Sequence, residues 1–304
     1  MGKDVYQITT ERVIKRLEEG VIPWQTPLRI KKQGWPRNLT NDRHYNGLNV
    51  FMLACAGYGS PYWLTLNQAN ELGGKIKKGE RSSIVTYYKV YDKTTGPGED
   101  DVEKRFVLRY YNVFNVEQTE GIQHKRLQQE EWVRGRVSDM IDARLEFTPL
   151  EECELVVKNM PQKPVITTRN GTPCYIPSLD EVRMPLPQMF NTKEEYYCTF
   201  FHELTHSTGH ESRLKRKTVL DMPQTNMLES YSKEELVAEM GAAFLCGITG
   251  IQNRTIDNSA SYIGGWLKKL KDDPKLVIQA AGQAQRATKF ITNDMQERKE
   301  GENE

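Results

Sequence analysis

The sequence predicts an α+β chain of two domains, a small α+β module over residues 1–134 and a second domain over residues 135–304. Three observations carry this reading. The 304 residues suffice for two domains of ordinary size. In the front half, Ser83–Tyr91 and Phe106–Phe114 are rich in β-branched and aromatic residues and flank a polar, Gly/Pro-containing loop, the pattern of paired strands. In the rear half, two apolar segments, one around His202 and one after Ser232, have helical spacing.

Composition narrows the class. Hydrophobic residues make up 38% and aromatics 9%, enough for a folded core, while a mean hydropathy of −0.67 implies wide polar surfaces. The net charge is +1, but the first 90 residues hold 14 Lys and Arg against 7 Asp and Glu. That surplus points the front half toward a polyanion. Cys55, Cys153, Cys174, Cys198 and Cys246 are odd in number and scattered, which predicts reduced thiols in a cytoplasmic protein. An apolar leader and an 18-residue apolar run are both missing, so export and membrane partners are not expected.

In chain order, Val5–Glu19 has helical periodicity and stops at Gly20. A loop punctuated by Pro and Gly follows, with Trp24 and Trp35 among Arg29, Lys31, Lys32 and Arg37. The rings could stack on bases while the cations meet phosphates; Trp24 reads equally well as an anchor folded onto the core. Asn46–Cys55 is a turn into a short buried helix. Tyr58–Leu64 is an aromatic loop containing Trp63, and Thr65 caps a helix over 66–72. Gly73–Gly79 is a basic turn with Lys75, Lys77 and Lys78. The strand pair then completes a small module whose rings and cations suit single-stranded DNA. Arg43 and Tyr45 join the residues already named as candidate DNA contacts. Residues 117–136 read as a connector, 137–147 as a helix and Glu154–Lys158 as a short strand.

In the rear domain, Cys174–Pro177 and Glu181–Met184 form two short strands whose free edge could take an extended peptide. Then comes His202-Glu203-Leu204-Thr205-His206. Four-residue spacing puts both imidazoles on one helix face, where they can grip one metal while Glu203 reaches a water on it. Zn2+ is the expected ion, other divalent ions being admissible, and the arrangement predicts a zinc metallopeptidase acting on a protein or peptide substrate.

The third ligand must come from elsewhere. A histidine at 212 would complete one known pattern, but Ser212 stands there. His210 is a reserve candidate, because Gly209 interrupts the helix before it. Downstream, Ser232 caps a second helix with Glu235 in its capping-box position, and Glu235 and Glu239 share its inner face. The preferred assignment makes Glu235 the ligand and Glu239 the acceptor for the far N–H of a ligand histidine. The swapped roles, and Glu235 as a cap only, stay open. Arg213, Lys215, Arg216 and Lys217 between the helices read as a solvated basic face. Ser259–Leu270 is a helix interrupted at Gly264-Gly265, with Tyr262 as a candidate oxyanion donor, and Leu276–Met295 is a terminal helix lined by small residues.

Several longer phrases carry a resemblance: YQITTERVIKRLEEGVIPWQTP, GWPRNLTNDRHYNGLNV, YWLTLNQANELGGKIKKGE, CYIPSLDEVRMP, FFHELTHSTGHESRL and YSKEELVAEMGAAFLC. The chain resembles the ArdC-type antirestriction proteins of conjugative plasmids and integrative elements, whose front part is related to conjugation primases. That resemblance implies an N-terminal domain binding single-stranded DNA and a C-terminal zincin-like metallopeptidase domain, acting on DNA entering a new host. The rear is also similar to gluzincin-like peptidases, with Glu235-Leu-Val-Ala238 matching and Glu239 where Asp or Asn is usual. The alternative expectation is a non-proteolytic DNA-coating protein whose metal site is structural; a third is a scaffold for a conjugation complex.

Overall fold

A computed structural model describes residues 4–26, 28, 30, 34–94, 102–127, 149–169, 171–220, 233–251 and 260–294. The fold is mixed α+β. Helix α1 (Val5–Glu18) buries Val13 and Leu17 on one side. A 3-10 turn, Pro23–Gln25, then turns Trp24 inward. Helix α2 (Leu48–Ala54) starts from Gly47, whose φ of 58° belongs to the region that favours glycine. Helix α3 (Leu66–Glu71) has the expected cap: Thr65 accepts from the Gln68 N–H while Gln68 reaches back to the Thr65 N–H.

The front sheet has the order β1-β2-β5-β4, from β1 (Arg37–Asn38), β2 (Tyr62–Leu64), β4 (Ser83–Thr94) and β5 (Val102–Asn115). Strands β4 and β5 form a long antiparallel hairpin registered from Ser83↔Val113 to Thr94↔Val102. The hairpin therefore runs into what the sequence assigns to a loop from Asp92 to Lys104. A two-stranded ribbon, β3 (Lys75–Ile76) with β6 (Thr119–Glu120), sits beside it.

In the rear half, β7 (Val165–Thr168) pairs in parallel with β9 (Glu181–Met184), and β8 (Cys174–Ile176) pairs antiparallel on its other edge. The expected strand at Glu154–Lys158 is instead part of helix α4 (Pro149–Asn159). Glu151 and Glu152 in its first turn and Lys158 in its last complement the helix dipole. Cys153 and Val157 are buried four residues apart, with Met160 just beyond the end, a helical stripe. Helix α5 (Lys193–Ser207) leads into α6 (Lys217–Leu220), and α7 (Lys233–Thr249), α8 (Ala260–Asp272) and α9 (Leu276–Ile291) complete the chain. Helix α8 runs unbroken through Gly264-Gly265, where two glycines weaken a helix without forbidding it. The helix expected over 137–147 and the Ser232 cap lie outside the described residues.

Helix α7 is buried almost all round, from Leu236 to Gly247, and so it acts as the axis of the molecule. It packs on α5 and α9. A Cβ at Gly241 would lie 2.4 Å from Thr205 Cγ2, so the missing side chain lets α7 close on α5 where the histidines are. The main core joins both halves: Val13, Trp24 and Phe51 lie in one cluster with Phe244, Trp266 and Ala280. Trp24 and Trp266 are both fully buried, edge to face with centroids 5.7 Å apart, a contact worth about 0.5–1.5 kcal/mol beyond burial. A second core lies under α4, α5 and the three-stranded sheet.

Candidate metal centre and nucleic-acid interface

Helix α5 begins at Thr192, whose hydroxyl accepts from the Glu195 N–H at 3.1 Å, with Glu194 and Glu195 in the first turn. Three turns later His202 and His206 emerge on one face with their Nε2 atoms 3.1 Å apart. Glu235, in the first turn of α7, closes the triangle. Its Oε2 is 3.4 Å from His202 Nε2 and its Oε1 is 3.5 Å from His206 Nε2. Donors at about 2.0–2.1 Å from a tetrahedral ion stand roughly 3.3–3.4 Å from one another, so these edges fit one divalent ion. The structure thus contains a divalent-metal-binding cluster of two imidazoles and one carboxylate, with donor atoms all within 4.8 Å of each other.

What surrounds the cluster differs from the sequence expectation. His206 Nδ1 lies 3.3 Å from Oε1 of Glu234, not against Glu239. Glu234 is 1% exposed and receives the Arg216 guanidinium through both oxygens, with Nε at 3.1 Å, and the Thr218 hydroxyl. Burial disfavours the Glu234 carboxylate, but His206 and Arg216 more than offset it and hold its pKa down. Burial likewise disfavours the His206 imidazolium, and its bonds to Glu234 and Glu235 overcome that and raise its pKa. The pocket is therefore built to stabilise positive charge at the imidazoles.

Glu239 is corrected from a histidine partner to a partner of Tyr262: the phenol donates to its Oε1 at 3.0 Å. Burial raises the Glu239 pKa, and its Oε2 is buried with no hydrogen-bond partner among the described residues. Tyr262 also accepts from Trp24 Nε1 at 3.2 Å and lies in the core. His210 lies off the cluster, with Nδ1 2.9 Å from Ser212 Oγ. Glu203 is buried on α5 next to His202. Arg213 and Arg216, read from sequence as solvated, are buried in ion pairs with Asp180 and Glu234; Lys215 and Lys217 are exposed.

The DNA-contact candidates divide. Arg29, Lys31 and Lys32 lie outside the described residues. Trp24 and Trp63 are buried at 0% and 2% exposure: of its two readings Trp24 takes the core anchor, and Trp63, edge-on to Tyr58, is corrected from a DNA contact to a core residue. Trp35 leans on Phe244 at 5.8 Å. Arg37 lies over the Tyr62 ring at 5.2 Å and 3.6 Å from Asp42. Lys75 pairs with Glu120 at 3.0 Å, and Lys77 donates to the Glu117 carbonyl at 2.7 Å. Lys78 is exposed.

Arg43 and Tyr45 line a cleft of about 700 Å³ between the β4–β5 hairpin and α9. Across it stand Tyr87 and Tyr111, diagonal neighbours in the hairpin register and stacked at 4.8 Å. Arg286 and Lys289 enter from α9. These four were not among the sequence candidates. Tyr87 and Tyr111 were hidden inside a strand pattern, and the two cations lie in a helix read only for its small residues.

Comparison with known proteins gives a consistent result. Residues 3–114 match the N-terminal domain of anti-restriction factor ArdC, and residues 152–283 match the zincin-like metallopeptidase family. The Escherichia coli DNA primase TraC is 29% identical over 310 residues, which is 95% of this chain but 27% of the primase; the chain spans about a quarter of that relative. The crystal structure of the antirestriction ArdC protein from plasmid R388 in its metal-free form is 32% identical, with a TM-score of 0.71, over 97% of this chain and 99% of that one. The Mn(II)-bound form gives the same identity and TM-score over 96% and 98%.

These findings correct the expectation of a peptidase. A relative that aligns end to end is an antirestriction protein, and its metal-free and metal-bound forms match this fold equally well. The His202–His206 motif accordingly stands as a metal-ligand pair and not as the mark of a hydrolase. Among the described residues no helix is long and apolar enough to cross a membrane.

Proposed function

We propose, from the premise that this chain belongs to the ArdC-type antirestriction family, that it binds single-stranded DNA and shields mobile DNA entering a host, with a metal site that is structural. The observation that carries the DNA reading is the stacked pair Tyr87 and Tyr111 on the front sheet, Tyr111 being 48% exposed. An exposed aromatic on a strand face beside cations is a platform for bases of any identity. Binding of this kind depends on phosphate charge and ring stacking, not on base edges, which suits a protein that must act on whatever sequence enters.

His202 and His206 on α5 and Glu235 on α7 are the residues that would hold the ion. A divalent ion, when bound, supplies a cross-link between two helices that otherwise meet through apolar side chains and the His206–Glu234 contact. Two imidazoles and one carboxylate suit Zn2+ well, and the Mn(II)-bound relative supports a site tolerant of other divalent ions. Glu234 and Arg216 set the tautomer of His206, and Gly241 permits the helix approach.

The test uses purified protein and a cellular assay. Fluorescence anisotropy with a labelled oligonucleotide should give binding to single strands that exceeds binding to the duplex of the same sequence. Glu203→Gln should keep its metal, its DNA binding and its protection of incoming DNA. Loss of protection in a variant that is folded, metallated and DNA-competent would overturn the structural reading of the metal site.

A further inference from the structure

The cleft between the hairpin and α9 has an unusual charge balance. No Asp or Glu lines it among the described residues, yet Arg43 comes from the front half and Arg286 and Lys289 from the rear. None of these three side chains makes an ion pair among the described residues, whereas Lys75, Arg213 and Arg216 elsewhere do. Arg286 and Lys289 are three apart on α9 and share a face. A second cavity of about 970 Å³, lined by Trp35, shares Arg43 and Lys289 with the cleft, and there Asp42 and Asp294 join the lining.

Its floor is bare by construction. Gly282 of α9 lines the cleft, and a Cβ built there would meet nothing within 4 Å. A glycine inside a helix costs about 1 kcal/mol against alanine, and the Gly47 backbone lies beside this one, a Cβ on Gly47 falling 3.6 Å from the Gly282 nitrogen. Opposite, Gly47 is fixed to the same helix through its N–H, which donates to Gln285 Oε1, while Gln285 Nε2 donates to Asn46 at 3.0 Å. The wall from the front half is thus clamped to the helix from the rear.

We propose that this interdomain cleft is the track for single-stranded DNA, with Tyr111 and Tyr87 facing bases and with Arg43, Arg286 and Lys289 facing phosphates. The inference rests on the DNA-binding reading above and adds that the rear domain supplies part of the site. Lys75, Lys77 and Lys78 on the β3 side do not line the cleft and lie outside the track.

The experiment measures binding of a labelled oligothymidylate across a salt series to the full chain and three variants, each checked by circular dichroism and thermal melting. Arg286→Gln/Lys289→Gln removes two cations and should flatten the plot of log affinity against log salt by about 1.4, at roughly 0.7 per phosphate contact. Gly282→Leu improves helix propensity and fills the floor, so it should fold and should weaken binding roughly 5- to 150-fold, the range of one lost stacked base. Lys75→Gln/Lys77→Gln/Lys78→Gln should bind as the wild type does. Wild-type binding with an unchanged salt slope and unchanged affinity in the first two variants would overturn the cleft while leaving the DNA reading intact. A larger loss in the lysine triple variant would overturn it as well. No binding by the wild type at any salt concentration would overturn the DNA reading itself.

Discussion

Glu234 holds His206. Its Oε1 lies 3.3 Å from Nδ1, at the ring nitrogen opposite the one that faces Glu235, and the same carboxylate receives Arg216 through both oxygens. Glu234→Gln should keep a hydrogen-bonding group in place but lose the charge, and metal affinity should fall about 10- to 100-fold. Glu234→Ala should do more. It strands Arg216, which is 6% exposed, and breaking a buried pair in this way costs about 3–5 kcal/mol. Titration calorimetry with Zn2+ and urea unfolding separate the two effects; equal loss of stability in both variants would contradict the role given to Arg216.

A second ion pair, half-buried on its Asp180 side, sets an acid limit. Arg213 donates to both oxygens of Asp180, to the Gln162 carbonyl and to the Ser207 carbonyl at the end of α5. Burial opposes the Asp180 carboxylate, but the hydrogen bonds and charge of Arg213 outweigh it and hold its pKa below the usual value. A depressed carboxylate pKa adds stability above its unfolded value, and that increment is lost as pH falls through the folded one. Wild type should therefore lose stability on acidification below about pH 4, and Asp180→Asn should lack that increment at neutral pH and show a shallower acid limb. Unfolding midpoints from pH 7 to pH 3 would reveal parallel curves if the pair contributes nothing.

The balance between these sites and the sequence is instructive. The helical spacing of His202 and His206 and the cap at Thr65 were readable because both are local: one turn of helix or one capping box fixes them. Strand pairing of 83–91 with 106–114 was readable from composition, though its length was not, since the register carries on through polar residues. Residues whose meaning depends on distant partners were misread. Arg213 and Arg216 look solvated in a basic run, and only the fold brings Asp180 and Glu234 to them. Glu239 has helical spacing from Glu235, yet Tyr262, 23 residues on, claims it. Trp63 reads as part of an aromatic loop but sits in β2, and burial, not identity, decides whether a ring can stack on a base.

Burial also separates two kinds of tryptophan and tyrosine variant. Trp24→Ala opens a cavity in the shared core, so about 3–5 kcal/mol of stability should disappear, with DNA affinity following only as folded protein is lost. Tyr111→Ala removes an exposed ring and should leave the melting curve nearly unchanged while weakening single-strand binding by about 1–3 kcal/mol. Thermal melts and anisotropy on the same preparations check both. A Trp24 variant that stays fully folded but fails to bind would return that ring to the interface.

Metal removal provides the remaining test of a structural ion. His202 and His206 belong to α5 and Glu235 to α7, so an ion held by all three favours the folded chain alone. Ligand linkage then gives about 2.7 kcal/mol at a free-ion concentration one hundred times the dissociation constant. For a chain of this size that is about 4 °C in melting temperature. The gain should rise with the logarithm of the ion concentration and vanish in Glu235→Ala, which removes one of the three ligands. Single-strand affinity should be the same for chelated and reconstituted protein, since the cleft lined by Tyr111 and Lys289 contains none of the three ligands. A melting temperature indifferent to the ion would remove the cross-link, and DNA binding that collapses on chelation would mean that the metal site and the cleft are coupled through α7.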